Sequence, residues 1–341
     1  MGLLLTGGQF SVKLEMNSKF ETKTSHLEIP KEFQKLECDR FIPCSGTEEQ
    51  KNSEQCACGL ERVHHATQKD GEVNEVWCSE KHTLSSPTNA YGTIQFDGTD
   101  PNKAHFIRLS RYTQPGIVIR LMIDHWQIKK PKLVISIRGG QSNFKLNPEL
   151  KNIIGTGLVR TAQSTGKNAR MHAGPSFLKT RLIFIFISGA WLLTDGTTTG
   201  VTRQIGNALK PHRSSRPKGK RLVSIGIAPW GVIENRDQLV VRNKNVVCSS
   251  IDRPHSKSAL NSSHSTFMLV DDGTIGRYGG EIVFRFAVVS SLNICNFLKF
   301  NFKSCDPGES WKTTFPIGSC PVTRIAQFLW SAWYSRVERK R

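Results

Sequence analysis

The segment Ser164–Gly200, STGKNARMHAGPSFLKTRLIFIFISGAWLLTDGTTTG, decides how the rest of the chain is read. It holds the most apolar run of the sequence, Leu182–Leu193, directly after a basic, loop-like piece. Three readings compete: a membrane span, a buried strand, or two unrelated pieces joined. The run is twelve residues long and broken by Ser188 and Gly189, whereas a spanning helix needs about twenty consecutive apolar residues. A span is therefore not expected anywhere in the chain. GAWLLTD reads instead as a buried strand, and DGTTTG as the turn that follows it.

Working outward, the same alternation recurs. PKLVISIRGG (131–140) is a continuous apolar run ending in a glycine pair, as in a strand buried on both faces. NPELKNIIGTGLVRTAQSTG (147–166) places Asn147 as N-cap and Pro148 in the first turn of a helix. Its apolar residues Leu150, Ile153, Ile154, Leu158 and Val159 repeat at helical spacing. Downstream come a helix (TGVTRQIGNALK, 199–210), two strands (RLVSIGIAPWG, 221–231; STFMLVDDGT, 265–274) and a helix beginning near Tyr278. Upstream, AYGTIQF and AHFIRLS alternate as strands, and PGIVIRLMIDHWQI is a helix opened by Pro115. This order predicts an α/β fold, a parallel sheet flanked by helices. Ligands of such sheets sit beyond the carboxyl ends of the strands.

Composition narrows the function. The formal charge is +19. Part of it sits in 167–188, which carries Lys167, Arg170, Lys179, Arg181 and no acid, and part in 286–341. The remainder forms no basic stripe interleaved with aromatics, so nucleic acid is not the expected partner. The N-terminus lacks a basic n-region, and the nine cysteines form no even ladder. A reducing, cytoplasmic setting is expected.

Residues 1–76 are polar and read as an irregular segment with a Cys/His element: Cys38, Cys44, Cys56, Cys58, His64 and His65. These ligand types suit zinc, but zinc sites favour C-x2-4-C pairs, and C-x-C is tight for two ligands of one tetrahedral ion. Reduced cysteines without metal are the expectation. Cys56, Cys58 and His64 are the candidates should a metal bind.

The strand ends carry RGG (138–140), DGTTTG (195–200), APWG (228–231) and DDGTIG (271–276). None matches G-x-G-x-x-G or the P-loop pattern. Two readings stay open: tight strand-to-helix turns, or anion-binding turns that present free N–H groups at helix N-termini.

Four stretches, PKLVISIRGGQSNFKLNPELKNIIGTGLVRTAQSTG, GAWLLTDGTTTGVTRQIGNALK, IGIAPWGVIENRDQL and HSTFMLVDDGTIGRYGGEI, closely resemble the melastatin homology region of TRPM cation channels. EKHTLSSPTNAYGTIQF and CACGLERVHH are similar to elements preceding it. The resemblance covers about residues 56–285 and implies a Rossmann-like SLOG (LSDAT) domain over 77–285. It also implies a place at the cytosolic face of a tetrameric, often calcium-permeable channel whose pore helices lie outside this chain, with other TRPM subunits as partners. No cofactor is required. In some members this region binds an ADP-ribose-like nucleotide. The matching positions are Gly139, Gly140, Asp195, Gly196, Thr197, Gly200, Asp272, Gly273, Tyr278 and Arg285. Tyr278 would stack on a base and Arg285 pair with a pyrophosphate, the two sharing a helix face seven residues apart.

Related SLOG enzymes that cleave base–sugar bonds resemble PGGxGTxxE at the last turn. Here Asp271 and Asp272 stand in place of Pro-Gly and Glu281 lies too far along, so catalysis is not expected. The alternatives are a stand-alone SLOG nucleotide-binding protein or hydrolase, and a purely structural interface module. Against the family pattern, 167–188 reads as an insertion with the composition of a translated intron. Residues 286–341 read as a divergent tail with no clear period rather than a domain.

Overall fold

The computed structural model describes residues 27–44, 55–65, 69–70, 75–97, 103–139, 190–214, 223–248, 258–292 and 297–302. Twelve strands occur among them: β1 Gln34–Cys38, β2 Arg40–Phe41, β3 Lys69–Asp70, β4 Thr83–Pro87, β5 Tyr91–Phe96, β6 Ala104–Ser110, β7 Leu133–Gly139, β8 Ala190–Thr194, β9 Val223–Pro229, β10 Arg242–Cys248, β11 Thr266–Asp271 and β12 Phe297–Phe302. The α-helices are α1 Ile29–Glu32, α2 Pro115–Arg120, α3 Gly200–Ser214 and α4 Gly280–Ser291. The helix expected over 147–166, Gly140 and the interval 167–188 lie outside the described residues.

Eight strands form one sheet in the order β10-β5-β6-β11-β9-β8-β7-β12. All its pairings are parallel except β5–β6. The expected Rossmann-like parallel sheet is present, with one antiparallel pair. Its central strands are the continuous apolar runs of the sequence: β8 and β11 are buried at every position. Parallel strands covered on both faces demand this. Successive side chains then feed two cores. Ile107, Leu109, Met268 and Val270 join Val118, Phe284 and Val288 on one face. Phe106, Phe267 and Leu269 meet Ile94, Trp230 and Leu260 on the other. β10 is one edge of the sheet, and its polar RNKN start suits a strand that pairs on one side only among the described residues. Pro115 opens α2 as expected, and the helix continues as a π-turn over Leu121–His125 that buries Leu121 and Met122.

The boundaries read at 76 and 285 do not follow the packing. Ile29 and Phe33 belong to the main core, and β1 pairs antiparallel with β4, so part of 1–76 is built into the domain. At the other end α4 runs six residues past Arg285, to Ser291, because Val288 and Leu292 continue its buried stripe. β12 follows and pairs parallel with β7. Residues 286–292 thus continue the helix and its cap, and residues 297–302 join the sheet. Among the described residues no helix is long and apolar enough to cross a membrane.

Candidate functional site

The carboxyl ends of β7, β8, β9 and β11 lie side by side, and β8, β9 and β11 each hand the chain to a short turn. After β8, Asp195 Oδ1 accepts from the Thr197 N–H at 3.2 Å and from its hydroxyl at 3.1 Å. Thr197 and Thr199 hydroxyls meet at 2.8 Å. Thr194 Oγ1 accepts from Gly196 N–H at 3.0 Å and lies 2.7 Å from His264 Nε2. Thr198 N–H donates to Ala259 O, and Asn261 N–H to Gly196 O, both at 2.8 Å. Gly196 has φ +72°, and a Cβ there would stand 2.7 Å from the Gly226 Cα. The turn therefore packs backbone against backbone over β9, and only glycine fits. Gly200 then opens α3, which buries Val201, Ile205 and Leu209 along one side.

After β11 the two aspartates divide the work. Asp271 is buried; its Oδ2 takes Arg108 Nε at 2.6 Å and Leu36 N–H at 3.0 Å, and its Oδ1 takes Gly273 N–H at 3.1 Å. Asp272 Oδ1 accepts from Thr274 N–H at 3.0 Å and its hydroxyl at 2.6 Å. Asp272 is thus spent on turning its own loop, with Gly273 at φ +80°.

Arg285 is 5% exposed and donates to the Ile137 and Ile227 carbonyls, each at 3.3 Å, so its guanidinium bridges β7 and β9 across β8. Its Nε has no hydrogen-bond partner among the described residues. Burial weighs against its charge, while Asp195 and Glu281 act to keep it and Arg138 opposes them. Tyr278 is 41% exposed and is not core packing. α4 begins only at Gly280, so Tyr278 precedes the helix, and the expected shared helix face with Arg285 does not exist. Gly139, Asp195, Gly196, Thr197, Gly200, Asp272, Gly273 and Arg285 all lie at the strand ends or the helices that follow them.

The Cys/His element differs from its expectation. His64 is exposed, whereas its neighbour His65 is buried against the thiols. Cys38, at the end of β1, Cys56, Cys58 and His65 bring their ligand atoms within 4.8 Å of one another. The thiols share hydrogen bonds, which pull Cys56 well below the ordinary thiol value through Cys38 and Cys58, and push Cys58 and Cys38 up. Cys38 could not be grouped with the C-x-C pair by spacing, and nothing in HH says which imidazole turns inward. The turn also touches the β11 loop: Ile275 N–H donates to Cys58 O at 2.7 Å, and Gly59 (φ +92°) lies so close beneath Ile275 that a Cβ would meet its carbonyl oxygen.

A family model described as "SLOG in TRPM" matches residues 104–169 and 182–300. The interval between the two parts falls inside 167–188. The chain is 40% identical over 262 residues to "Transient receptor potential cation channel trpm" of Drosophila melanogaster, covering 75% of this chain and 12% of that protein. It is 42% identical over 221 residues to "Transient receptor potential cation channel subfamily M member 7" of Rattus norvegicus (64% and 10%). With "subfamily M member 1" of Mus musculus it shares 37% over 273 residues (75% and 15%). The chain thus spans about a tenth of the length of the first two of these relatives.

Proposed function

The chain belongs to the SLOG family of TRPM channels, and from this premise we propose that it is the cytosolic regulatory and assembly region of a TRPM-type, calcium-permeable cation channel that senses an ADP-ribose-like nucleotide. Its proposed partners are the other subunits of a tetramer, because the relatives are named as cation channels and are far longer than this chain.

One observation carries the nucleotide reading: Arg285, a buried guanidinium beside the carboxyl ends of β7, β8 and β9, keeps an Nε without a partner among the described residues. A buried donor left unsatisfied costs roughly 1–3 kcal/mol, and a pyrophosphate oxygen would supply its acceptor. The 15-residue helix opened by Gly200 offers the N–H groups of its first turn to an anion. The exposed ring of Tyr278 is free to stack on a base.

Titration calorimetry with ADP-ribose tests this. The chain is expected to bind, with adenosine alone weaker. Arg285→Ala should lose affinity by about tenfold or more, the scale of a charge-assisted hydrogen bond. Tyr278→Ala, at an exposed position outside the core, should weaken binding without loss of folding. No heat from a folded chain would overturn the nucleotide reading and leave the family membership standing.

A further inference from the structure

We propose that Cys38, Cys56, Cys58 and His65 hold one zinc ion in a closed, structural site of three sulfurs and one nitrogen that pins the loop after β11. The four donors come from three places in the chain: the end of β1, the CACG turn, and the end of the 3-10 turn Arg62–His64. All four residues are buried, at 3%, 0%, 0% and 8% exposure. Their ligand atoms lie within 4.8 Å of one another. With zinc–sulfur bonds of about 2.3 Å, a tetrahedral site places its sulfurs roughly 3.8 Å apart, so a contraction of under about 1 Å completes the shell.

Most polar groups around the sulfurs favour thiolates; the exception is the Arg40 carbonyl, 3.2 Å from Cys38 Sγ and 3.8 Å from Cys56 Sγ. Ile42 N–H points at Cys56 Sγ (3.3 Å), Leu60 N–H at Cys58 Sγ (3.4 Å) and the Trp77 indole N–H at Cys38 Sγ (3.2 Å). Cys58 N–H also reaches Cys56 Sγ at 3.5 Å. Donors aimed at sulfur favour the deprotonated, metal-binding form. His65 is oriented in the same sense. Its Nδ1 lies 2.9 Å from the Glu61 carbonyl, which only accepts, so Nδ1 carries the proton. The lone pair is then on Nε2, which faces Cys58 Sγ at 3.4 Å. A backbone carbonyl fixing the far ring nitrogen is the usual outer partner of a zinc-bound histidine. Phe41, Leu60 and Trp77 wrap the cluster and keep water from it. Three sulfurs and an imidazole select zinc over calcium or magnesium.

The C-x-C spacing is accommodated because the turn folds back: Gly59 N–H donates to Cys56 O and Cys56 N–H to Leu60 O, both at 2.8 Å. Through Ile275 N–H on Cys58 O, and Gly59 against the Ile275 backbone, the same turn grips the loop that carries Asp272 and Gly273. With four protein ligands there is no open coordination position, so the role is to hold structure.

Metal analysis of the purified chain is expected to find one zinc per molecule. Cobalt substitution is expected to give the intense sulfur-to-cobalt absorption of a tetrahedral thiolate site. Cys56→Ser and His65→Ala should each lose stoichiometric metal, while His64→Ala and Cys78→Ser keep it. Removing the metal with a chelator should speed hydrogen exchange at the Ile275 amide. A folded wild-type chain that carries no zinc and gives no cobalt spectrum overturns the proposal, whether or not the ligand variants fold. Loss of metal in His64→Ala rather than His65→Ala overturns the ligand assignment. Unchanged Ile275 exchange overturns the pinning role.

Discussion

Arg108 on β6 and Asp271 at the end of β11 meet in a buried ion pair, with Nε and Nη2 both 2.6 Å from Oδ2. The guanidinium also lies over the Trp230 ring, 4.5 Å from its centroid, and reaches the Leu36 carbonyl at 3.4 Å. Strand β1, the sheet and the turn after β9 are thereby tied at one point. Removing one partner leaves a buried charge uncompensated, which costs about 3–5 kcal/mol. Asp271→Ala should therefore lower unfolding stability in denaturant by that amount. The double variant Arg108→Met/Asp271→Leu should recover most of it. A loss below about 1 kcal/mol in the single variant would contradict the role given to the pair.

Gly196 and Gly226 touch through their backbones. Gly196→Ala would put a side chain at φ +72° and 2.7 Å from the Gly226 Cα. The left-handed conformation alone costs roughly 1–2 kcal/mol, and crowding adds to it. A fall in Tm of about 4–8 °C or more is expected, on the scale of 2–4 °C per kcal/mol for a domain of this size. An unchanged Tm would mean that the two turns separate easily.

Glu80 is exposed, yet its carboxyl is held down at about 2, first by the Tyr112 hydroxyl (2.7 Å) and then by the Cys78 thiol (3.2 Å). Both donors favour the carboxylate. NMR titration should show Glu80 protonating well below other surface glutamates. Tyr112→Phe should move the midpoint up, toward the ordinary carboxylate range. The same midpoint in both proteins would remove the hydrogen bond as its cause.

Cys248, at the end of the edge strand, has its thiol pushed up to about 11, by burial and then by the charge of Asp97. Relative to an unperturbed thiol on the same scale, it carries on the order of 100-fold less thiolate at neutral pH. Iodoacetamide at pH 7.5 should modify it slowly, as peptide mass mapping can show. Asp97→Asn should make it faster. Rapid alkylation of the folded wild type would contradict the environment described.

The central sheet was legible because β7, β8, β9 and β11 are buried on both faces and so are apolar along most of their length. β10 was not: an edge strand needs no apolar run, and RNKN resembles a loop. β1 escaped because its signal is a short pairing with β4, both half polar, inside a stretch whose composition is otherwise solvated. The strand-end turns could be located from glycine and aspartate, but their hydrogen bonding could not. Asp271 and Asp272 are adjacent and chemically identical, yet one neutralises a buried arginine and the other closes its own turn. In the same way His64 and His65 differ only in which side of a 3-10 turn they leave, and Tyr278 lies two residues before the helix on which its spacing to Arg285 would put it.

The position of β11 has a consequence for biosynthesis. It lies between β6 and β9, so the middle of the sheet is supplied by one of the last strands to be made. At translation rates of about 5–20 residues per second, β6 waits on the order of ten seconds or more for its parallel neighbour. Until Asp271 has left the ribosome, β6 and β9 each present an open, apolar hydrogen-bonding edge where the finished domain has none. A nascent chain stalled or cut before that residue is a template for aggregation, and the domain's dependence on chaperones should be greatest over that interval of synthesis.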